Sequence, residues 1–230
     1  YQEWQAKVAA IYLPQPNEAG IIPQDDTYLT KKEIDLTKYK NDSQVGTLFH
    51  EYNLEQVNEM QVSKQADVLL LLFLFENLFP KEEKRLNWDY YEPKTLHDSS
   101  LSLSTHAILA ADLGEIALSY DLFQQAINID MGENMLSSNE GIHAASLGGI
   151  WQMTVFGYGG VRCLDGQLRI EPHLPKAWEA LEFGIMWHQQ PLKIEVIQEG
   201  FTVTNHGEQA IEFIAFDKVY LLEEQIKITF

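Results

Sequence analysis

Apolar residues in this chain follow one spacing up to about Gly160 and another after it. Before that point they recur at helical intervals in blocks separated by proline and glycine. In residues 64–79, Ala66, Val68, Leu69, Leu70, Leu71, Leu72, Phe73, Leu74 and Phe75 leave almost no polar side. This predicts a helix buried all round in a larger helical assembly, with Leu78 and Phe79 as last core contacts and Pro80 as its end. Residues 101–112 predict a second helix, capped by Asp98, Ser99 or Ser100 and stopped near Gly114. Residues 115–129 predict a third. Its Ile116, Tyr120, Phe123 and Ile127 share one face, which Leu122 and Ala126 widen. The single glycine between the two predicts an αα-hairpin. Residues 144–156 predict a last helix whose Ala144, Ala145, Ser146, Gly148 and Gly149 let a neighbouring helix or a ligand come close. Each interior glycine costs about 1 kcal/mol, so close approach should offset it. Residues 1–13 read as a short helix ended by Pro14 and Pro16. Residues 17–50 read as loop with short helical pieces, 88–100 as a polar aromatic segment, and 131–143 as a connection.

After Gly160 the period is two. Leu168 and Ile170, then Leu192, Ile194 and Val196, then Phe201 and Val203 alternate with polar neighbours, and Asn205-His206-Gly207 marks a turn. Stretches 211–216, 219–222 and 226–230 add further short strands. Many short strands without helices predict two packed sheets or a barrel. The resulting division is a helical part over residues 1–158 and a β part over 159–230.

The chain has 230 residues, enough for one large core or two modest ones, and 45% are hydrophobic, which excludes wholesale disorder. Acidic residues outnumber basic ones 34 to 16, for a net charge of -18. Such a surface repels phosphate backbones and anionic lipid, so neither nucleic acid nor a membrane is the expected partner. The one cysteine, Cys163, excludes an internal disulfide and suits a reducing, cytoplasmic setting; it is expected to be a small buried or half-buried apolar residue. No signal peptide is visible, and the longest apolar run, 68–75, is too short to span a bilayer. Tyr1 stands where a methionine would open a gene, so a longer parent is expected.

Three clusters are rich in hydrogen-bonding groups. They are Lys64-Gln65; Tyr90-Tyr91-Glu92-Pro93-Lys94 with His97-Asp98-Ser99-Ser100 and Thr105-His106; and Glu140-Gly141-Ile142-His143-Ala144-Ala145-Ser146. Two lie where a helix is expected to begin, and free N–H groups at helix starts suit an anion. Each also has a purely structural reading: a solvated lysine, capping serines, hydrogen-bonded histidines. Neither HExxH nor paired cysteines is present, so no metal is expected. Glu92 and Glu140 are candidates for the acid and base of a glycosidase pair, although sequence leaves their separation open. Trp88, Tyr90, Tyr91 and Trp151 either stack on a sugar or fill a core. Gly157-Tyr158-Gly159-Gly160 fits a tight exit from the last helix and matches no nucleotide-binding fingerprint.

Lys64-Gln65-Ala66-Asp67-Val68, Tyr90-Tyr91-Glu92-Pro93-Lys94-Thr95, His97-Asp98-Ser99-Ser100-Leu101-Ser102 and Gly141-Ile142-His143-Ala144-Ala145-Ser146-Leu147-Gly148-Gly149 occur in that order. Together they resemble the C-terminal part of a family 65 glycoside hydrolase, the family of maltose, trehalose, kojibiose and nigerose phosphorylases. The resemblance covers nearly the whole chain. It implies a partial (α/α)6 barrel followed by an antiparallel β-sandwich. It also implies cleavage of an α-linked glucose disaccharide by inorganic phosphate, with inversion to β-glucose 1-phosphate. No cofactor is implied; phosphate is the co-substrate. By the same resemblance, Lys64 and Gln65 match residues that hold the nonreducing glucose. Ser99, Ser100 and His143 match the phosphate region, to which His97 and His106 are also drawn. The family's general acid, a glutamate, falls outside this chain, as do an N-terminal β-domain and the first barrel helices. The isolated chain is therefore expected to be inactive, with much of 68–75 uncovered and open to the rest of the protein or a second copy. Two other readings stay open: an inverting α-glucoside hydrolase, and, for the isolated chain, a non-catalytic carbohydrate-binding module.

Overall fold

The structure, a computed structural model, describes residues 1–40, 46–65, 67–97, 99–132 and 141–230. Eight α-helices among these residues precede eight β-strands. The chain forms two compact units, Tyr1–Asp98 and Ser99–Phe230.

The first unit holds α1 (Gln2–Ala10), α2 (Thr37–Lys40), α3 (Leu54–Asn58), α4 (Asp67–Leu74) and α5 (Lys81–Tyr91). No residue of α1 is buried, and the stretch after it is irregular. Burial of α5 holds part of that stretch in place. Asn87, fully buried, accepts from the Ile22 amide at 2.8 Å and donates to the Gly20 carbonyl, while Tyr91 Oη donates to the Ile22 carbonyl at 2.6 Å. Buried backbone polar groups must find partners, and here a helix supplies them to a loop. The first four residues of the polar aromatic segment, 88–91, are thus the end of α5, and Glu92–Lys94 form a 3-10 turn after it. Pro80 does not end the preceding helix as expected, since α4 stops at Leu74; its carbonyl accepts the Glu83 and Lys84 amides and opens α5. Proline tolerates this place because the first N–H groups of a helix are unpaired anyway.

The expected helix over 64–79 is shorter. Ser63 bridges Thr95, its amide donating to the Lys94 carbonyl and its carbonyl accepting from the Leu96 amide, so the backbone stays extended there and α4 starts at Asp67. Burial of α4 is one-sided. Val68, Leu69, Leu72 and Phe73 are buried; Leu70, Leu71, Leu74 and Phe75 are exposed, and so is Leu78, which makes no core contact of the kind expected.

The second unit begins with α6 (Ser102–Asp112), α7 (Ile116–Met131) and α8 (Ala144–Gln152), followed by a π turn, Met153–Tyr158. The predicted hairpin is present, with Gly114 at φ +87 between α6 and α7. The buried face of α7 is Ser119, Leu122, Phe123 and Ala126, rotated from the one expected. The rotation follows from Ser119, whose hydroxyl donates to the Ala107 carbonyl at 2.7 Å and meets Tyr158 Oη. Gly149 packs against α6; a Cβ there would lie 2.8 Å from Ser104 Cβ. Further along α6, and in the π turn that continues α8, a Cβ on Gly157 would lie 3.7 Å from Ile108 Cα. The two contacts advance together, so α6 and α8 run the same way and start at the same end.

Strands follow at β1 (Val161–Leu164), β2 (Gln167–Ile170), β3 (Ala180–Trp187), β4 (Gln190–Ile197), β5 (Gly200–Asn205), β6 (Ile211–Ala215), β7 (Lys218–Leu222) and β8 (Gln225–Thr229). They form two four-stranded sheets, ordered β1-β2-β6-β7 and β3-β4-β5-β8. Pairing is antiparallel except between β2 and β6, which share one parallel position, Arg169 opposite Ile214. Leu168, Ile170, Phe213 and Leu222 from one sheet meet Ile194, Val196, Phe201 and Val203 from the other in one core. Each such buried side chain contributes about 1.5–3 kcal/mol. Cys163 is exposed, contrary to expectation, because β1 is an edge strand.

The exit from the helices is built on glycine. Gly160 has φ +64, and a Cβ there would overlap the Glu171 carbonyl. Gly160→Ala should therefore lower unfolding free energy by about 2–4 kcal/mol, read by denaturant titration. A second prediction concerns alkali. Burial pushes the Tyr28 and Tyr158 phenols from 10.0 up to about 12, and raises Tyr91 too. Folding holds these phenols neutral, whereas in the unfolded chain they ionise near 10. Their contribution is complete below pH 10 and is lost as pH rises through about 12. Phenolate absorbance should show these three tyrosines ionising together with unfolding, not before it.

Candidate functional site

Lys64 is exposed and Gln65 half-buried, both in a bend ahead of α4; Ala66 lies outside the described residues. The dipeptide is thus not at a helix start. It follows Ser63, whose hydroxyl meets Tyr28 Oη at 3.2 Å and donates to Gln24. This fixes the backbone that carries Lys64.

Glu92 is already engaged. Lys40 Nζ is 3.0 Å from its carboxylate and donates to its backbone carbonyl, and His97 Nε2 lies 3.1 Å from both carboxylate oxygens. The side chains of Glu92 and His97 are largely buried. His97 adopts φ +58, a left-handed conformation unusual for a residue with a Cβ. A carboxylate held by lysine and histidine is poorly placed to activate water. Trp88 and Tyr91 are core residues; Tyr90 is half-buried, its hydroxyl donating to Gln61, with Lys94 Nζ over its ring. Trp151 is exposed.

In the second unit, Ser99 is buried and Ser100 half-buried just ahead of α6. The Ser99 hydroxyl accepts from the Leu101 amide at 3.3 Å, and its carbonyl accepts from Ser102 Oγ. Ser99 thus orders the turn before the helix, while the N-cap position itself belongs to Leu101 and has no side-chain cap. Asp98, the other expected cap, and Glu140 lie outside the described residues. His106 is buried on α6.

His143 is the N-cap of α8. Asp130, near the end of α7 and only 4% exposed, accepts from the His143 amide at 3.0 Å and lies 3.1 Å from Nδ1. One carboxylate thereby fixes both the backbone and the ring, leaving Nε2 for a ligand. Ser146, in the first turn of α8, is buried, and its hydroxyl has no partner among the described residues. A buried hydroxyl without a partner is costly, which marks a place where a ligand atom would be welcome. Asp130 and Ser146 were not singled out as site residues from sequence. Asp130 sits in an ordinary helical pattern; Ser146 stood in a motif but read as a small packing residue.

Residues 1–152 match the model of the glycosyl hydrolase family 65 central catalytic domain, and residues 161–222 match that of the family 65 C-terminal domain. The chain belongs to glycosyl hydrolase family 65. It is 40% identical over 226 residues to kojibiose phosphorylase of Halothermothrix orenii, covering 98% of this chain and 28% of that protein. It is 38% identical over 221 residues to alpha,alpha-trehalose phosphorylase of Thermoanaerobacter brockii, covering 96% and 28%. A solved structure from the human microbiome, provisionally assigned as a kojibiose phosphorylase, superposes with a TM-score of 0.87 at 26% identity. That likeness covers 95% of this chain and 32% of that one. The family 65 chain thus spans about 28% of the length of these curated relatives. No helix among its described residues is long and apolar enough to cross a membrane.

Asp130→Ala in this chain should release the His143 amide and ring together. The expected result is a loss of about 1–2 kcal/mol in stability and faster amide exchange confined to the start of α8. Unchanged exchange there would show that Asp130 does not hold the residue.

Proposed function

We propose that the chain is part of an inverting disaccharide phosphorylase, which cleaves an α-glucosidic bond with inorganic phosphate to give β-glucose 1-phosphate. Its helical part, residues 1–158, contributes barrel wall, and residues 159–230 form the sandwich. The observation that carries the reading is the common direction of α6 and α8. Ser99 and Ser100 ahead of one helix, and His143 at the start of the other, are thereby offered to the same end, together with the first N–H groups of both helices. In this reading these three residues bind phosphate, with His97 and His106 as further members of that region, and Lys64 and Gln65 hold the nonreducing glucose.

The chemistry needs a carboxylic acid to protonate the leaving oxygen and a nucleophile on the opposite face of the sugar. In an inverting hydrolase a second carboxylate activates water there; in a phosphorylase the phosphate replaces both. Neutral hydroxyls, helix N–H groups and an imidazole suit an anion, whereas a bare carboxylate would repel it. Glu92 is engaged by Lys40 and His97 and so is not the free carboxylate base that hydrolysis would need. The general acid is a glutamate outside this chain. The apolar face on α4 then packs against parts of the enzyme the chain does not include. The two relatives described above are phosphorylases of kojibiose and trehalose, and their names support an α-linked glucose disaccharide as the substrate class. The enzyme works in the cytoplasm.

The test uses the full-length enzyme on kojibiose, trehalose and maltose, with and without phosphate. Cleavage should require phosphate. His143→Asn should raise the KM for phosphate by about tenfold or more while moving the KM for sugar little, since a hydrogen bond to a charged group contributes about 1.5–3 kcal/mol. Cleavage at full rate without phosphate would replace the phosphorylase by a hydrolase.

A further inference from the structure

The sandwich contains an opening of its own. Strands β2 and β6 pair at one position only, Arg169 with Ile214; toward Gln167 and Glu212 the ladder does not continue. A cleft of about 360 Å³ lies there, lined by Gln167, Trp187, His188, Gln209 and Glu212 with apolar neighbours that include Ile214. This volume is at the lower end of small-molecule pockets. All its walls belong to the sandwich.

The hairpin at its rim takes a left-handed conformation that the β6–β7 turn, Phe216-Asp217, also adopts. Trp187 faces Gln190 in the last β3–β4 pair, so His188 and Gln189 form a two-residue turn, and both have positive φ, 46 and 66. Asparagine and glycine normally occupy such turns, because side chains with a Cβ are strained there. The β1–β2 turn of the same sandwich uses Asp165-Gly166. The strained turn is held from below by Gln190, whose amide donates to the His188 carbonyl and whose Oε1 accepts from the Gln209 amide. It sets the Trp187 and His188 rings at 4.5 Å, edge to face, in the cleft wall. These part-buried hydrogen bonds fix the shape of the turn and with it the place of both rings.

From this lining we infer that the cleft binds one neutral pyranose ring. The chemistry is specific. An indole offers an apolar face to the C–H side of a sugar ring. Gln167 and Gln209 each carry a donor and an acceptor on one side chain, the pattern adjacent hydroxyls require, and Glu212 accepts two more hydrogen bonds. With one carboxylate and no lysine or arginine in the lining, the cleft does not favour an anion such as phosphate. Its walls include neither Lys64 and Gln65 nor the starts of α6 and α8, so it stands independently of the phosphorylase reading.

The probe is methyl α-glucopyranoside, titrated into the full 230-residue chain labelled with fluorotryptophan. The chain has five tryptophans, and the Trp187 signal is identified by its loss in Trp187→Phe. Sugar should shift the Trp187 resonance with a Kd of about 1 mM, an ordinary affinity for a small open site. Glu212→Ala and Gln209→Ala change exposed side chains and should leave the fold intact while weakening binding by about fivefold each. Lys64→Ala should leave the Trp187 shift unchanged. A Trp187 signal that does not move up to about 50 mM sugar, or that moves equally in both cleft variants, overturns the inference.

Discussion

One buried cation determines how the second unit is assembled. Arg162 on β1 is 6% exposed, and its guanidinium reaches Asp112 at the end of α6, with Nη2 at 2.9 and 2.7 Å from the two carboxylate oxygens. Its other terminal nitrogen donates to the carbonyls of Phe156 and Val161. A charge taken out of water is tolerated only when it is paired and fully hydrogen-bonded. These partners come from a helix, the π turn and a strand, so the helices and the sandwich of this unit cannot shift without stranding a charge. Tyr158 works beside it: its ring packs on Phe123 and Trp178, and its hydroxyl donates to the Ser119 carbonyl.

That junction explains the glycines around it. The Glu171 amide donates to the Gly160 carbonyl and the His173 amide to that of Tyr158, so the chain doubles back tightly against the π turn. At Gly159 a Cβ would press into the Phe183 ring. The same closeness recurs at Gly149 against Ser104, where it lets α8 lie along α6. Close backbone approach is the common requirement, and glycine meets it despite its cost within a helix.

Much of this was legible in the sequence. The change of period at Gly160, the α6–α7 hairpin and most of the strands follow from spacing, because each element has one buried face that repeats with the element's own geometry. The misses have physical causes. The helix α5 was hidden because its buried residues include Asn87, whose role is to satisfy a distant loop. The strand β3 was missed because Ile185, Met186 and Trp187 are consecutive and Gly184 interrupts the alternation. The strand β1 is four residues long and carries the buried arginine. In the candidate site, His143 stood in a recognisable motif, whereas Asp130 holds it from another helix. Relations of that kind depend on tertiary packing, which no local pattern records.

The shared direction of α6 and α8 has an electrostatic consequence. Each helix start carries roughly half a positive charge from its aligned peptide dipoles. Two at one end add up to about one positive charge that cannot be titrated away, offset in part by the Asp130 carboxylate at the start of α8, in a chain whose net charge is -18. An anion approaching from bulk water meets repulsion until the last few ångströms, where these dipoles take over. Salt screens the long-range part and leaves the short-range part nearly intact. In the phosphorylase reading proposed above, capture of a small anion at this end would therefore become faster as ionic strength rises, the reverse of what a basic patch on the surface would give.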